Sequence, residues 1–400
     1  FFENTGYFGL YCLPPFSKAR PYGDGHEGGA GGGDGILLHL HSTLHRNPYF
    51  RWYADMMKSG PGAGPASFIA LDPSLEPKPP SELPQARCFS HVGWVAMHSN
   101  LADPKNNIHF MLKSSAYGSM SHSHASQNAF ILNAFGEPLA ISSGYYQLYG
   151  SPHHAGWTRE TKAHCSVTVD GKGQEQRSRT ANGRIADFAD TKDFCYAVGD
   201  ATKAYGGRLE KFLRHVVFVR PDYFVLFDDL RSAIDSEFQW WLHAKREMKL
   251  DEPGQAVTIS EGDARLLVRF LSPTPLKFAQ TDKFDVPAFK EAPNQWHFTA
   301  TPTSKRREVR CLTLLAPYRT GGEAELPTVK ALDASSGAAF EVRGPWGHDL
   351  VAWRTGAEKL KAGELEADAQ LVVIRRSPNG RLRNAFVHRG TAMVAGQAFP

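Results

Sequence analysis

Between positions 117 and 170 the chain gathers side chains that can move protons and hold metal ions. Residues 117–130 read YGSMSHSHASQNAF, with His122 and His124 one residue apart. On an extended segment side chains alternate with period two, so this spacing would project both imidazoles to the same side. Small residues flank the pair, Gln127 and Asn128 follow, and then comes the apolar run Phe130-Ile131-Leu132. The pattern is a polar cluster at the mouth of a strand that enters a core; its bland counterpart is a surface loop that carries two histidines. Further on stand Tyr145-Tyr146, His153-His154, Trp157, Arg159 and His164. Imidazole changes charge near neutrality and serves as general acid, general base or metal ligand. An indole face suits sugar stacking, and a guanidinium suits a carboxylate. Each also has a structural reading. Gln127 and Asn128 pin a turn as readily as they bind sugar hydroxyls, and His153, His154, Trp157 and Arg159 can equally pack a surface loop. If extended, only one of Tyr145 and Tyr146 faces a site, and Tyr146 is carried forward. His39, His41 and His45 are spaced i, i+2, i+6, which does not place all three on one helical face. They read as solvated or interface residues.

The elements that must position these groups follow from composition and periodicity. Four hundred residues can bury a substantial core, and 42% apolar with 22% charged residues is a globular composition. A formal net charge of +4, dispersed along the chain, argues against nucleic acid and is compatible with an acidic polymer. No apolar run approaches membrane-spanning length. Five widely separated cysteines without CxxC spacing indicate neither a zinc knuckle nor a disulfide framework. The chain opens Phe1-Phe2-Glu3-Asn4, without initiator Met or signal-peptide pattern, as expected of a fragment or processed chain.

Residues 1–60 read as helical: Phe1 to Tyr11, then two short amphipathic helices meeting near Asn47-Pro48. The glycine-dense stretch from Tyr22 to Gly33 lacks the Lys-Ser/Thr ending of a phosphate loop, which sets nucleotide binding aside. Residues 61–84, rich in Pro, Gly and Ser, read as a linker. From residue 85 to 400 short β-branched and aromatic runs alternate with turn residues. Among them are Val216–Val219 and Tyr223–Phe227, joined by Arg220-Pro221-Asp222 as a hairpin turn. A large antiparallel β-sandwich is expected there.

The ordered series SHSHASQNAF, GEPLAISSGYY and KAHCSVTVDG is preceded by VGWVAMHSNL and followed by FLRHVVFVRPDYFVLFDDL and EFQWWLHA. Together these resemble the C-terminal part of the heparinase II/III-type polysaccharide lyases, in particular the oligoalginate lyase and heparin lyase branch. The similarity spans roughly residues 85–245, and the opening FFENTGYFGLY resembles the end of that family's helical toroid. The resemblance implies an α+β multidomain protein, the end of an (α/α) toroid followed by a large antiparallel β-sandwich. It implies cleavage of a uronic-acid glycosidic bond in an acidic polysaccharide, alginate or heparin-like, by β-elimination. His122 matches the sandwich-side catalytic histidine, and Tyr7 resembles the toroid tyrosine that acts as acid or base. A histidine and an arginine or asparagine of earlier toroid helices would complete the centre from ahead of Phe1. His124 and His164 match positions that hold zinc in some members; the aspartate between them falls near Ser142, so the usual carboxylate is missing. A periplasmic or secreted location is what the resemblance favours. Two rival functions stay open: a non-catalytic carbohydrate-binding or structural sandwich, and a metal-dependent hydrolase built on the histidines.

Overall fold

The alternation of apolar runs with turn residues becomes five antiparallel sheets in the computed structural model, which describes residues 2–18, 21–25, 35–58, 60, 65–272 and 275–399. The chain divides into two compact units, residues 1–319 and 320–400. The sandwich expected over 85–400 is therefore shared between them.

The first unit begins with four short helices: α1 (Phe2–Cys12), α2 (Gly35–Leu44), α3 (Pro48–Met56) and α4 (Pro65–Ala70). The start of α3 is written in the sequence. Pro48 occupies its first turn, and the Asn47 side chain accepts from the backbone N–H of Tyr49 and Phe50 at 3.0 and 3.3 Å. Helix α4 falls within the stretch expected to be a linker, whose residues 61–64 lie outside the described residues, as do residues 26–34 of the glycine-dense stretch. Among the described residues the helical part amounts to these four, so the toroid itself is not part of this structure.

The first sheet comprises β1 (Ala86–Phe89), β2 (Trp94–His98), β3 (Ile108–Lys113), β4 (Ala129–Ala134) and β5 (Glu137–Ala140), paired in that order. All residues of β3 and β4 are buried. The cause is that both faces are covered. Val95, Met97, Phe110, Leu112, Phe130 and Leu132 point into the core of the sandwich. The alternating set Trp94, Ala96, Met111, Ala129 and Ile131 packs instead with Leu10, Tyr11, Tyr22, Trp52 and Tyr53 of the helical segment. Opposite lie an eight-stranded sheet, including the strands Leu209–Val219, Tyr223–Ser236 and Arg306–Arg319, and a four-stranded sheet containing Val167–Val169 and Phe238–Ala244. Tyr223 pairs with Val219, so Arg220-Pro221-Asp222 is the hairpin turn that the sequence indicated.

One buried ion pair links the eight-stranded sheet to the histidine-bearing loop. Arg214 donates Nε to Asp228 Oδ1 at 2.6 Å and Nη2 to Oδ2 at 2.8 Å, and both side chains are fully buried. Its Nη1 donates to the carbonyls of Asn128 and Cys165 at 2.6 and 2.8 Å, and Trp240 Nε1 donates to Asp228 Oδ2 at 3.0 Å. Every strong donor and acceptor in this cluster is answered, which a buried charge pair requires.

The second unit has its own two sheets, of five strands and four, and its own core around Leu360, Leu365, Val372, Ile374 and Phe399.

Candidate functional site

Residues 117–128, expected to be extended, form turns instead, with Ser121 and Asn128 at φ 52° and 56°. Alternation is therefore not what aligns the two histidines. They converge because both bind one carboxylate that arrives from the glycine-dense stretch, Asp24. His122 Nδ1 bonds to Asp24 Oδ2, and His124 Nε2 lies 2.8 Å from Oδ1. His154 Nε2 joins at 2.6 Å from Oδ1. An ionised carboxylate only accepts hydrogen bonds, so each of these nitrogens carries its proton. His154 fits that tautomer independently, since its Nδ1 accepts from the Gly150 N–H at 3.0 Å. For His122 the consequence is chemical: with Nδ1–H held by Asp24, neutral imidazole presents the lone pair of Nε2. The side chain is 64% exposed, so that lone pair is open to a substrate.

Asp24 is set in place by its neighbours. The Tyr22 hydroxyl donates to the carbonyls of Met111 and Ala129, both at 2.9 Å, which fixes the segment on β3 and β4. Gly23 has φ +81°, and a Cβ there would sit 3.2 Å from the His122 carbonyl oxygen, so glycine permits the close approach. Burial by itself would push the Asp24 carboxyl up. The hydrogen bonds from His124, His154 and His122 overturn that effect and hold it well below the usual carboxylate range.

Around this cluster lies an open pocket of about 410 Å³, lined among others by Tyr22, Asp24, Trp94, Lys113, Tyr117 and His122. Tyr149 and Tyr146 border the same histidine, with ring centroids 5.1 and 6.3 Å from that of His122. Both rings also flank His154, at 5.4 Å for Tyr146 and 5.2 Å for Tyr149. Tyr117, Tyr146 and Tyr149 are all exposed, a surface suited to the apolar face of a sugar ring.

The other candidates divide sharply by burial. Gln127 and Asn128 are fully buried. Gln127 accepts from the Ser115 N–H at 2.6 Å and donates to the Gly118 carbonyl at 3.1 Å; Asn128 donates to the carbonyls of Gly199 and Phe212 at 3.0 and 3.2 Å. The direct sugar contact expected of them is corrected to a backbone-holding role. A turn of π-helix over His154–Thr158 places the next group. His153 lies on the Val286 carbonyl (2.6 Å) and accepts from Tyr145 N–H, and Trp157 donates to Ser143 Oγ at 3.2 Å. Arg159 donates to the carbonyls of Ser119, Ser121 and Ser123. All three are buried, so they shape the site from behind and offer no surface to a sugar. His154, also buried, belongs to the Asp24 cluster. Tyr146 alone among the expected sugar contacts is exposed beside His122.

Tyr7 lies on α1, where its hydroxyl accepts from Asn47 Nδ2 at 3.1 Å and its ring is covered by Arg87 at 4.2 Å; its contacts are not with the His122 cluster. His164 directs Nδ1 to Ser142 Oγ at 3.0 Å, with its ring 5.3 Å from that of His124. Among the described residues the group whose donor atoms converge closely enough for a metal ion is Asp24, His124 and His154, all within 4.8 Å of one another. One carboxylate and two imidazoles fit zinc. The carboxylate that the sequence lacked near Ser142 thus comes from 100 positions before His124. Asp24 was missed because nothing local in a sequence links residues so distant; an acid flanked by glycines was its one signal. Tyr149 was missed for the lack of any distinguishing motif.

A family model described as heparinase II/III-like, C-terminal, matches residues 82–335. No curated protein matches. Among solved structures, a heparinase III gene product is 16% identical with TM-score 0.66, covering 87% of this chain and 51% of its own. A mutant of the heparan sulfate lyase HepC from Pedobacter heparinus is 14% identical with TM-score 0.67, covering 87% and 52%. A further heparinase III structure is 14% identical with TM-score 0.65, covering 88% and 54%. The chain spans about half the length of these structures, and at such identities the likeness is one of fold.

Proposed function

The chain belongs to the heparinase II/III-like, C-terminal family, and from that premise we propose that it supplies the sandwich side of a polysaccharide lyase centre acting on an acidic polysaccharide by β-elimination. The observation that carries this reading is the Asp24–His122 pair: an exposed imidazole whose proton is fixed on the inner nitrogen, at the edge of an open pocket. β-Elimination from a uronate needs a base for the C5 proton, and the outer Nε2 of His122 is that base. Asp24 orients the ring and stabilises the imidazolium formed when the proton arrives, the part a buried carboxylate plays beside a catalytic histidine. Tyr146 and Tyr149 stack against the sugar. Tyr7 is assigned the acid: its hydroxyl accepts from Asn47 and so keeps its own proton for the leaving oxygen at C4. Alginate-type and heparin-type polymers are the substrate classes to test.

The three-residue cluster also supports a zinc reading. Asp24, His124 and His154 would hold the ion, exchanging their mutual hydrogen bonds for coordination, and it would supply a fixed positive charge behind the base.

The test uses the protein expressed from its complete reading frame, incubated with several polyuronates. The expected result is a rise in ultraviolet absorbance from the unsaturated uronate, lost in His122→Ala without a change in thermal stability, because the side chain is largely exposed. Saturated products would overturn the elimination, and an active His122→Ala would overturn the assignment of the base.

A further inference from the structure

Two cations are buried beneath the histidine loop without a counter-ion. Lys113 ends β3 on the face that otherwise carries Met111 and packs against the helical segment; it is 2% exposed. Its ammonium donates to Ser126 Oγ at 2.8 Å, Ser123 Oγ at 3.2 Å and the His124 carbonyl at 3.4 Å. Arg159, fully buried, holds only the carbonyls of Ser119, Ser121 and Ser123. Among the described residues every printed partner of these two groups is a neutral oxygen, and no carboxylate pairs with either. The nearest negative charge on the pocket wall is Asp24, already shared by three imidazoles.

Such an arrangement is unfavourable for folding alone. A buried charge loses its hydration, and neutral acceptors return only part of that. Burial, reinforced by Arg159, pulls the Lys113 ammonium down to about 7. A neutral side chain could fill this space at less cost. What the cations add is positive potential in a pocket with low-dielectric walls, where a charge is felt far more strongly than in water.

We propose that the pocket lined by Tyr22, Trp94, Lys113 and Tyr117 beside His122 is an oxyanion subsite for the acidic group of a sugar, with Lys113 as its specificity-determining residue. Arg159 is a positioning residue: it shapes the loop over the subsite and adds to its field. The acidic group is a carboxylate or a sulfate ester, since both present oxygens with negative charge. The inference rests on the lyase reading only in taking an acidic saccharide as the occupant.

The test is calorimetric binding to the protein from its complete reading frame, wild type against Lys113→Met, with three probes. They are an unsulfated alginate-type oligouronate, its carboxyl-reduced counterpart, and a sulfated heparin-type oligosaccharide. Loss of one charge-assisted contact predicts that Lys113→Met weakens the acidic probe by about ten- to a hundredfold and leaves the carboxyl-reduced one unchanged. A loss confined to the sulfated probe assigns the subsite to sulfate, and a loss on the oligouronate assigns it to carboxylate. Equal weakening of charged and reduced probes, or no weakening of either, overturns the proposal, the first by showing a purely structural lysine. If Lys113→Met does not fold, a crystal structure of the wild-type protein with the oligouronate decides: an acidic group at the Lys113 end of the pocket supports the subsite, and one placed elsewhere overturns it. The two readings fail separately. Charge-selective binding without unsaturated product removes the lyase and keeps the subsite; unsaturated product with unaltered binding in Lys113→Met does the reverse.

Discussion

Asp24 is the residue on which both readings of the site turn, and one substitution separates them. In Asp24→Asn the amide can accept on one atom only and donates on the other, so His122 loses the partner that fixes its tautomer. If the pair works as an oriented base, turnover falls by about 10²–10⁴-fold with the histidine still present. If the cluster is also a zinc site, elemental analysis of the wild-type protein finds one equivalent of metal, and Asn at position 24 removes it, because a neutral amide is a far poorer zinc donor than carboxylate. The carboxylate makes a pH-dependent contribution as well. Its folded value lies below the unfolded value of about 3.9, so its contribution to stability is complete above that pH and is lost as pH falls toward the folded value. In chelator-treated protein the stability advantage of wild type over Asp24→Asn therefore shrinks from about pH 4 downward, read from denaturant unfolding at a series of pH values. An advantage that persists unchanged to pH 2 would show that Asp24 acts through packing and not through its charge.

The same histidines show how far an element could be read from its sequence. The core-bound runs were legible because burial on both faces leaves no polar alternation: Phe130-Ile131-Leu132 reads as a strand and lies in β4. The cap at Asn47 and the turn at Arg220-Pro221-Asp222 were legible from local chemistry alone. The loop between β3 and β4 was not. Its shape is imposed by partners distant in sequence: Gln174 Oε1 accepts from the Gln127 N–H at 2.7 Å, and Arg159 gathers three serine carbonyls. Hence Gln127 and Asn128, polar letters beside two histidines, looked like sugar contacts and are loop anchors. Gln127→Ala tests this at the level of the element. It leaves the Ser115 N–H without its buried acceptor and should destabilise by about 1–3 kcal/mol. Since the loop carries His122, the variant should also lose turnover, although its side chain touches no substrate. Denaturant unfolding together with the ultraviolet assay checks both, and a variant of wild-type stability would show that the loop holds its shape by other means.

At the scale of the molecule the family match and the compact units end at different places, at residue 335 and residue 319. Strand pairing says which boundary the physics favours. Arg306–Arg319 sits inside the eight-stranded sheet, between Tyr223–Ser236 on one side and Ala264–Phe270 on the other, and the core it closes is drawn from residues up to Leu315. A chain ending at Arg319 leaves that sheet intact. A chain ending at residue 335 retains the strand Thr328–Leu332 but removes its partner, Gly337–Gly344, leaving a row of backbone donors and acceptors open to pairing with other chains. Residues 1–319 should therefore unfold cooperatively and stay monodisperse, whereas residues 1–335 should associate at high concentration. Thermal unfolding and light scattering of the two truncations distinguish them. Loss of cooperative unfolding in residues 1–319 would mean that this unit needs the second one to fold, and that its own core, though continuous, is not sufficient.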